Sequence, residues 1–485
     1  MKRLLLKLNT FTLNKNIVFI IVLNLVIALC QFITFTIINQ KLGKDVLGIW
    51  SLVLAATAIG QLSGFGLSNG LVRYLPDFFF KNEIDKAEKL ISTVNLSNSI
   101  FSIPLIVLLY FPIMMYAEQL LTGDQLRIFN DVIAWSLLSL FINNLFFVYS
   151  YVFDALQKHY IRCIIQISGW ILFIFLTVIW VPKIGLKAVA YANVIQSVFQ
   201  LLLIRISVYR TKLFKRIVFW EFDKRSFKLI FAFGAKLQLI NILVIFFDPL
   251  IKFFITRYAG LSTTANYELA NKMTIQARNL LVNANQTIIP QIVLHKSLGS
   301  FVSYFSEIKE RNLMLSTLIG LAVLFLSPFA ILIFAGQFDR LLFQGVILLN
   351  IASVSNMITS IYYFACMGTD KLNKLVILHF LYPFIAIIAF FILPQNNMNT
   401  IIAIAIPAFS TLIGSIYNSS VLSEIAMPIN WLWSDMFLFF VFISVIMLFI
   451  PITSFIVMII IAIFSALGFL ILFRNKLKYL FIKKI

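Results

Sequence analysis

Charge is scarce in this chain, and negative charge scarcest: 12% of the 485 residues are Asp, Glu, Lys or Arg, with 19 acids against 39 Lys and Arg. Soluble domains carry about 25% charged residues and about 45–50% apolar ones, whereas 61% of this sequence is hydrophobic. Too little polar surface remains to keep a chain of this size in water, which excludes a soluble enzyme or binding module. The three cysteines, Cys30, Cys163 and Cys366, sit in or at the ends of apolar segments without CxxC or metal-ligand spacing. A disulfide framework and a zinc site are thereby excluded. His159, His295 and His379 are scattered over separate segments, and the chain has no HExxH, GxSxG, phosphate-binding loop or glycine-rich dinucleotide turn. The expectation is a protein that is no enzyme and takes no cofactor. Lacking a nucleotide-hydrolysing module, it must draw any uphill movement of cargo from an ion gradient or from removal of product on the far side.

What is present is a succession of apolar runs longer than about 18 residues, the length that a bilayer of about 30 Å of hydrocarbon requires. They predict an all-α polytopic membrane protein with about fourteen spans, at 17–39, 46–69, 91–116, 128–154, 163–181, 186–207, 229–253, 264–291, 312–335, 341–366, 375–393, 399–422, 436–450 and 453–473. The first run, too long for a signal-peptide core and without a small-residue cleavage site, is retained as a membrane helix. The formal net charge of +20 would suggest nucleic acid in a soluble protein. Here Lys and Arg concentrate in short loops, where they set orientation and face anionic membrane lipids, so no nucleic-acid partner is expected. They alternate between sides: one side carries only Lys41, Lys44, Arg127, Lys183, Lys187, Arg257 and Arg340, and all other loops and both basic ends fall on the opposite side. Both termini are therefore expected in the cytoplasm.

The linker VYRTKLFKRIVFWEFDKRSFK, 208–228, mixes basic with aromatic residues and suits either the headgroup plane or plain solvent. It divides the chain into an N-terminal six-helix lobe at 1–207, a C-terminal six-helix lobe at 229–422, and two extra helices with a basic tail at 423–485. Such a division predicts an internal repeat. KLGKDVLGIWSL, 41–52, aligns without gaps on YAGLSTTANYEL, 258–269, pairing Gly43 with Gly260 and Trp50 with Tyr267 between the first and second helices of each half.

Ionisable groups at membrane depth are costly and mark candidate sites. The seventh span holds Lys236, Asp248 and Lys252, with Asn241 on the Asp248–Lys252 face. Two readings stay open there: a polar stripe lining a cavity, or a self-neutralising Asp248–Lys252 pair four residues apart. The eighth span is the least apolar. Asn271, Arg278 and Asn285 recur in it every seven residues, beside Glu268 and Lys272, and predict a face that borders water or packs amide to amide. Arg278, the deepest cation, is the first choice for an anionic substrate, because a guanidinium offers paired donors to phosphate. Asn24 and Gln31, seven apart in the first span, are further candidates for cavity contacts, and Asp248 and Glu268 for ion coupling.

LGKDVLGIWSLVLAATAIGQLSGFGLSNGLVRYLPDF, 42–78, with Gly43, Gly48, Trp50 and a G-x-G-L turn before Arg73, resembles the polysaccharide-type (Wzx-like) flippases of the multidrug/oligosaccharidyl-lipid/polysaccharide exporter (MOP) superfamily. YAGLSTTANYELANKM, 258–273, resembles the corresponding segment of their second half, with Ala265 in place of the second glycine. The resemblance implies two six-helix lobes around a central cavity, two further helices, and alternating access for undecaprenyl-diphosphate-linked oligosaccharide destined for O-antigen or capsule. A cationic cavity of that kind suits Arg278, Lys272 and Lys236. It also implies a bacterial inner membrane, with polysaccharide polymerase and chain-length machinery as partners. A lipid II flippase and a cation-coupled multidrug or metabolite antiporter share the fold and remain as alternatives.

Overall fold

The computed structural model describes residues 2–60, 71, 74–75, 78–79, 83–156, 158–211, 221–285, 288, 292, 295, 300–368, 372–393, 398–420, 431–449, 468–469 and 471–474. For side chains, 2–14, 17, 21, 59–60, 229, 232–244, 368 and 372–373 are excepted. Among the described residues there are thirteen helices: α1 (Lys2–Leu42), α2 (Lys44–Gly60), α3 (Ile84–Leu120), α4 (Asp124–Ala155), α5 (His159–Ile184), α6 (Lys187–Arg210), α7 (Lys224–Ala259), α8 (Leu261–Asn285), α9 (Phe301–Ala335), α10 (Arg340–Gly368), α11 (Leu372–Ile392), α12 (Thr400–Ser420) and α13 (Asp435–Phe449). Nine contain a stretch long and apolar enough to cross a membrane. Helices α2, α7, α8 and α13 stand at the positions of four more expected spans, and the last, 453–473, lies almost wholly outside the described residues. Helices serve as spans because each satisfies its own backbone donors and acceptors where no water can. Prolines inside α3, α5, α7, α9, α11 and α12 are accommodated within this pattern.

The chain divides into two compact units, Met1–Pro249 and Leu250–Ile485, the boundary falling within α7. In the first unit α4 packs on α6, α2 and α3, and α5 packs on α1 and α6. In the second, α10 packs on α12, α8 and α9, and α11 packs on α12. Adding six to each helix number turns the α4–α6, α4–α2, α4–α3 and α5–α6 pairings of the first unit into pairings of the second. The α1–α5 pairing, which includes a Cys30 thiol contact to the Trp170 carbonyl, recurs as α7–α11, where Phe254 stacks on Phe390 with centroids 5.2 Å apart.

The two glycines aligned above prove equivalent in detail. Gly43, between α1 and α2, has φ +90°, and Gly260, between α7 and α8, has φ +84°, a backbone conformation open to glycine because it has no Cβ. Gly43 N–H donates to the Asn39 carbonyl and Leu47 N–H to the Gly43 carbonyl. Gly260 N–H donates to Thr256 and Thr264 N–H to Gly260, with the same lengths, 3.1 and 3.2 Å. Trp50 and Tyr267, two turns further on, are both buried.

Each unit has its own core. In the first, Leu90, Val94, Phe146, Tyr149, Val152 and Ile204 pack together. In the second, Leu321, Val354, Met357, Trp431 and Phe440 do so, with α13 laid against α9 and α10. Outward-facing Leu108, Phe111, Phe175, Leu326, Ile333 and Phe391 are exposed, as lipid-facing residues should be.

Candidate functional site

The second unit contains the constellation of interest, and the turn at Gly260 creates it. Two helices folded back on each other at a single residue bring together side chains equally far from the turn, since both rise about 1.5 Å per residue. Thr256 and Thr264, each four residues from Gly260, meet hydroxyl to hydroxyl at 2.7 Å. Lys252 and Glu268, each eight residues away, meet with Nζ 2.6 Å from Oε2, both side chains almost fully buried. Lys272, one turn beyond Glu268 on α8 and a third exposed, lies 3.7 Å from the other carboxylate oxygen. To the two readings left open for Lys252 the tertiary fold therefore adds a third: its carboxylate partner across the hairpin is Glu268.

Arg278 contrasts with these lysines. It is half-buried, its Nη2 donates a long 3.4 Å bond to the neighbouring Asn279 amide oxygen, and its Nε is buried without a hydrogen-bond partner. Among the described residues no carboxylate lies within ion-pair distance of it. Its electrostatic neighbours are the neutral phenols of Tyr382 and Tyr267. The local charge is thus two lysines sharing one glutamate, and a guanidinium left uncompensated. An uncompensated cation at membrane depth suits an anionic ligand.

Of the two readings open for its face, water or amide packing, Asn285 shows the second: it is buried and its Nδ2 donates to both Asn312 Oδ1 and Ser360 Oγ at 2.8 Å. Asn312 in turn donates to the carbonyls of Met357 and Ile358. Asn285 thus fastens α8 to α9 and α10, because an amide that finds partners on neighbouring helices spends its donors on packing. Asn271 is half-buried on α8. Asn24 and Gln31 belong to the first unit, Asn24 exposed and Gln31 half-buried with its Oε1 unpaired. Asp248 is half-buried at the end of that unit. The side chains of Lys236 and Asn241 lie outside the described residues, as does much of the 208–228 linker.

Sequence reasoning overlooked one group: on α10, α11 and α12, Asn356, Tyr382 and Ser415 are joined by side-chain hydrogen bonds, and the signal available was the density of Ser, Thr and Asn in spans otherwise apolar. In the first unit, buried Asp154, one residue before the end of α4, accepts from His159 Nδ1 at 2.8 Å and from Arg162 Nη1. It closes the α4–α5 turn, a role that its spacing of five and eight residues from these partners could have suggested.

Two sets of helices with matching neighbours and apolar outer surfaces define a polytopic α-helical membrane protein. The structure is similar to the lipid II flippase MurJ in an inward closed conformation, with a TM-score of 0.63 and 16% identity over 91% of this chain and 99% of that one. It is similar also to a multidrug resistance MATE family transporter of the MOP superfamily in its inward-facing conformation (TM-score 0.64, 14% identity, 82% of this chain and 94% of the other). A mutant of the Vibrio cholerae MATE transporter VcmN matches with a TM-score of 0.59 and 13% identity over 88% and 99% of the two chains. No curated protein matches the sequence. The chain belongs to the polysaccharide biosynthesis protein family, whose model matches residues 13–296.

Proposed function

We propose that this protein is a flippase that carries undecaprenyl-diphosphate-linked oligosaccharide repeat units across a bacterial inner membrane by alternating access, for surface polysaccharide such as O-antigen or capsule. The observation that carries the reading is Arg278, a half-buried guanidinium on α8 with no carboxylate partner among the described residues. Such a group is retained at a cost, and its planar donors match phosphate oxygens in pairs. Lys272, only partly engaged by Glu268 at 3.7 Å and a third exposed, can add a second cation as the diphosphate passes. Membership of the polysaccharide family supports a glycan as the remainder of the cargo. With both termini in the cytoplasm, the cargo is loaded there and delivered outside to polymerase and chain-length machinery.

A cation-coupled antiporter of the same fold draws less support. Its coupling ion needs an available carboxylate, and Glu268 is fully buried between two lysines. The test is to delete the gene and determine which leaflet of the inner membrane holds the lipid-linked oligosaccharide. Accumulation on the cytoplasmic face, relieved by the wild-type gene but not by an Arg278→Ala protein that still reaches the membrane, is the expected result. Normal translocation with altered drug sensitivity would move the assignment to the antiporter.

A further inference from the structure

The Gly260 junction carries one glutamate and two lysines, and the first unit shows that the turn does not require them. The Gly43 junction matches it in φ and in hydrogen bonds. Yet the residues eight before, eight after and twelve after Gly43 are Phe35, Ser51 and Ala55, all buried and uncharged. Their counterparts around Gly260 are Lys252, Glu268 and Lys272. A buried ion pair gains little over well-packed apolar side chains in the same place, so stability gives no reason for charges at the second junction. Their arrangement is unequal. Lys252 lies 2.6 Å from Oε2 with 3% of its side chain exposed, and the Glu268 side chain is fully enclosed. Lys272 stands 3.7 Å from Oε1, beyond hydrogen-bond length, with 34% of its side chain exposed. The carboxylate is therefore directed mainly at Lys252, and the surplus positive charge of the triad stays on the more exposed lysine.

We propose, resting on the flippase reading above, that Lys252 is a positioning residue: by holding the Glu268 carboxylate it leaves Lys272 available to the diphosphate of the cargo. Without Lys252 the pull of the carboxylate falls on Lys272, which needs to move only about 1 Å to reach hydrogen-bond length. The surplus charge is then gone, and a diphosphate meets a lysine already engaged. Removing Glu268 as well releases Lys272 again.

The experiment uses the purified full-length protein as wild type, Lys252→Met, Lys252→Met with Glu268→Gln, Lys272→Met and Arg278→Ala. Two quantities are read: the affinity for farnesyl diphosphate, and the rate at which an amine-reactive reagent labels Lys272, followed by mass spectrometry. Lys272→Met should weaken diphosphate binding about tenfold, the lower end of what a hydrogen bond to a charged group is worth, and Lys252→Met should weaken it nearly as much. Lys252→Met should also slow labelling of Lys272 about two- to fivefold, the worth of a partly exposed ion pair, whereas a merely loosened hairpin would label faster. Adding Glu268→Gln should restore both quantities, because the carboxylate that captures Lys272 is gone. Unchanged or faster labelling in Lys252→Met, full diphosphate affinity in Lys252→Met or Lys272→Met, or a double variant as weak as Lys252→Met would overturn the role of Lys252 while leaving Arg278 as the anion ligand. Wild-type diphosphate affinity in Arg278→Ala would instead overturn the flippase reading of the site, and the role of Lys252 with it.

Discussion

Replacing Glu268 by glutamine should destabilise the protein by about 3–5 kcal/mol, the usual cost of stranding one partner of a buried ion pair. The structure says which of the two lysines on Glu268 is the deeper. Lys252 Nζ lies 2.6 Å from Oε2 with 3% of its side chain exposed, so it cannot reach water without opening the α7–α8 hairpin. Lys272, 34% exposed and 3.7 Å away, has room to turn outward, and most of the penalty therefore belongs to Lys252. The hairpin itself should persist, because the Thr256–Thr264 bond and the Gly260 junction are untouched. If this accounting is right, adding Lys252→Met to Glu268→Gln removes the stranded charge and restores most of the stability, since replacing both members of a buried pair is often neutral or better. The assay is thermal unfolding of the three proteins in one detergent at one pH. The expected order places wild type and the double variant together, with Glu268→Gln below both. A double variant that melts below Glu268→Gln would show that the two charges do not compensate each other, and would refute the reasoning.

Two further outcomes follow from local geometry. Alanine at Gly43 or Gly260 should cost about 1–2 kcal/mol of backbone strain, nearly equally at the two sites, because both have positive φ and open space around the added methyl; unfolding midpoints that differ widely between the two variants would break their equivalence. Asp223 caps α7, its Oδ2 accepting from Ser226 Oγ at 2.6 Å and Ser226 N–H at 2.8 Å, and these bonds, the hydroxyl first, hold its carboxyl below the ordinary value of 3.8. A depressed folded value means stability that is present at neutral pH and lost as pH falls. Asp223→Ala should therefore cost about 1 kcal/mol at pH 7, with the gap to wild type closing as the pH drops below 3.8, read by unfolding across that range.

The bilayer makes some of this architecture legible in one dimension. A span must be apolar for about 20 residues, so the succession of helices is written in the sequence, and an ionisable residue such as Arg278 is conspicuous inside one. The repeat was legible at Gly43 and Gly260 because a single-residue junction between antiparallel helices needs a positive φ. Distant partners were not legible. Asp248 lies four residues from Lys252 on one helix, a spacing visible in the sequence, whereas the Lys252–Glu268 contact arises because the turn places residues equidistant from Gly260 at the same height. Asn285 shares the seven-residue period of Arg278 but is drawn into Asn312 and Ser360 by the helices packed around it. Tyr382 reads as one more aromatic in an apolar run until α12 presents Gly414 beneath its ring. The sequence by itself determined the membrane solvent, the helices and the repeat, because those depend on local composition and backbone freedom. Only the tertiary structure decided which charges are neutralised and which is left free, because that depends on contacts between helices far apart in the chain.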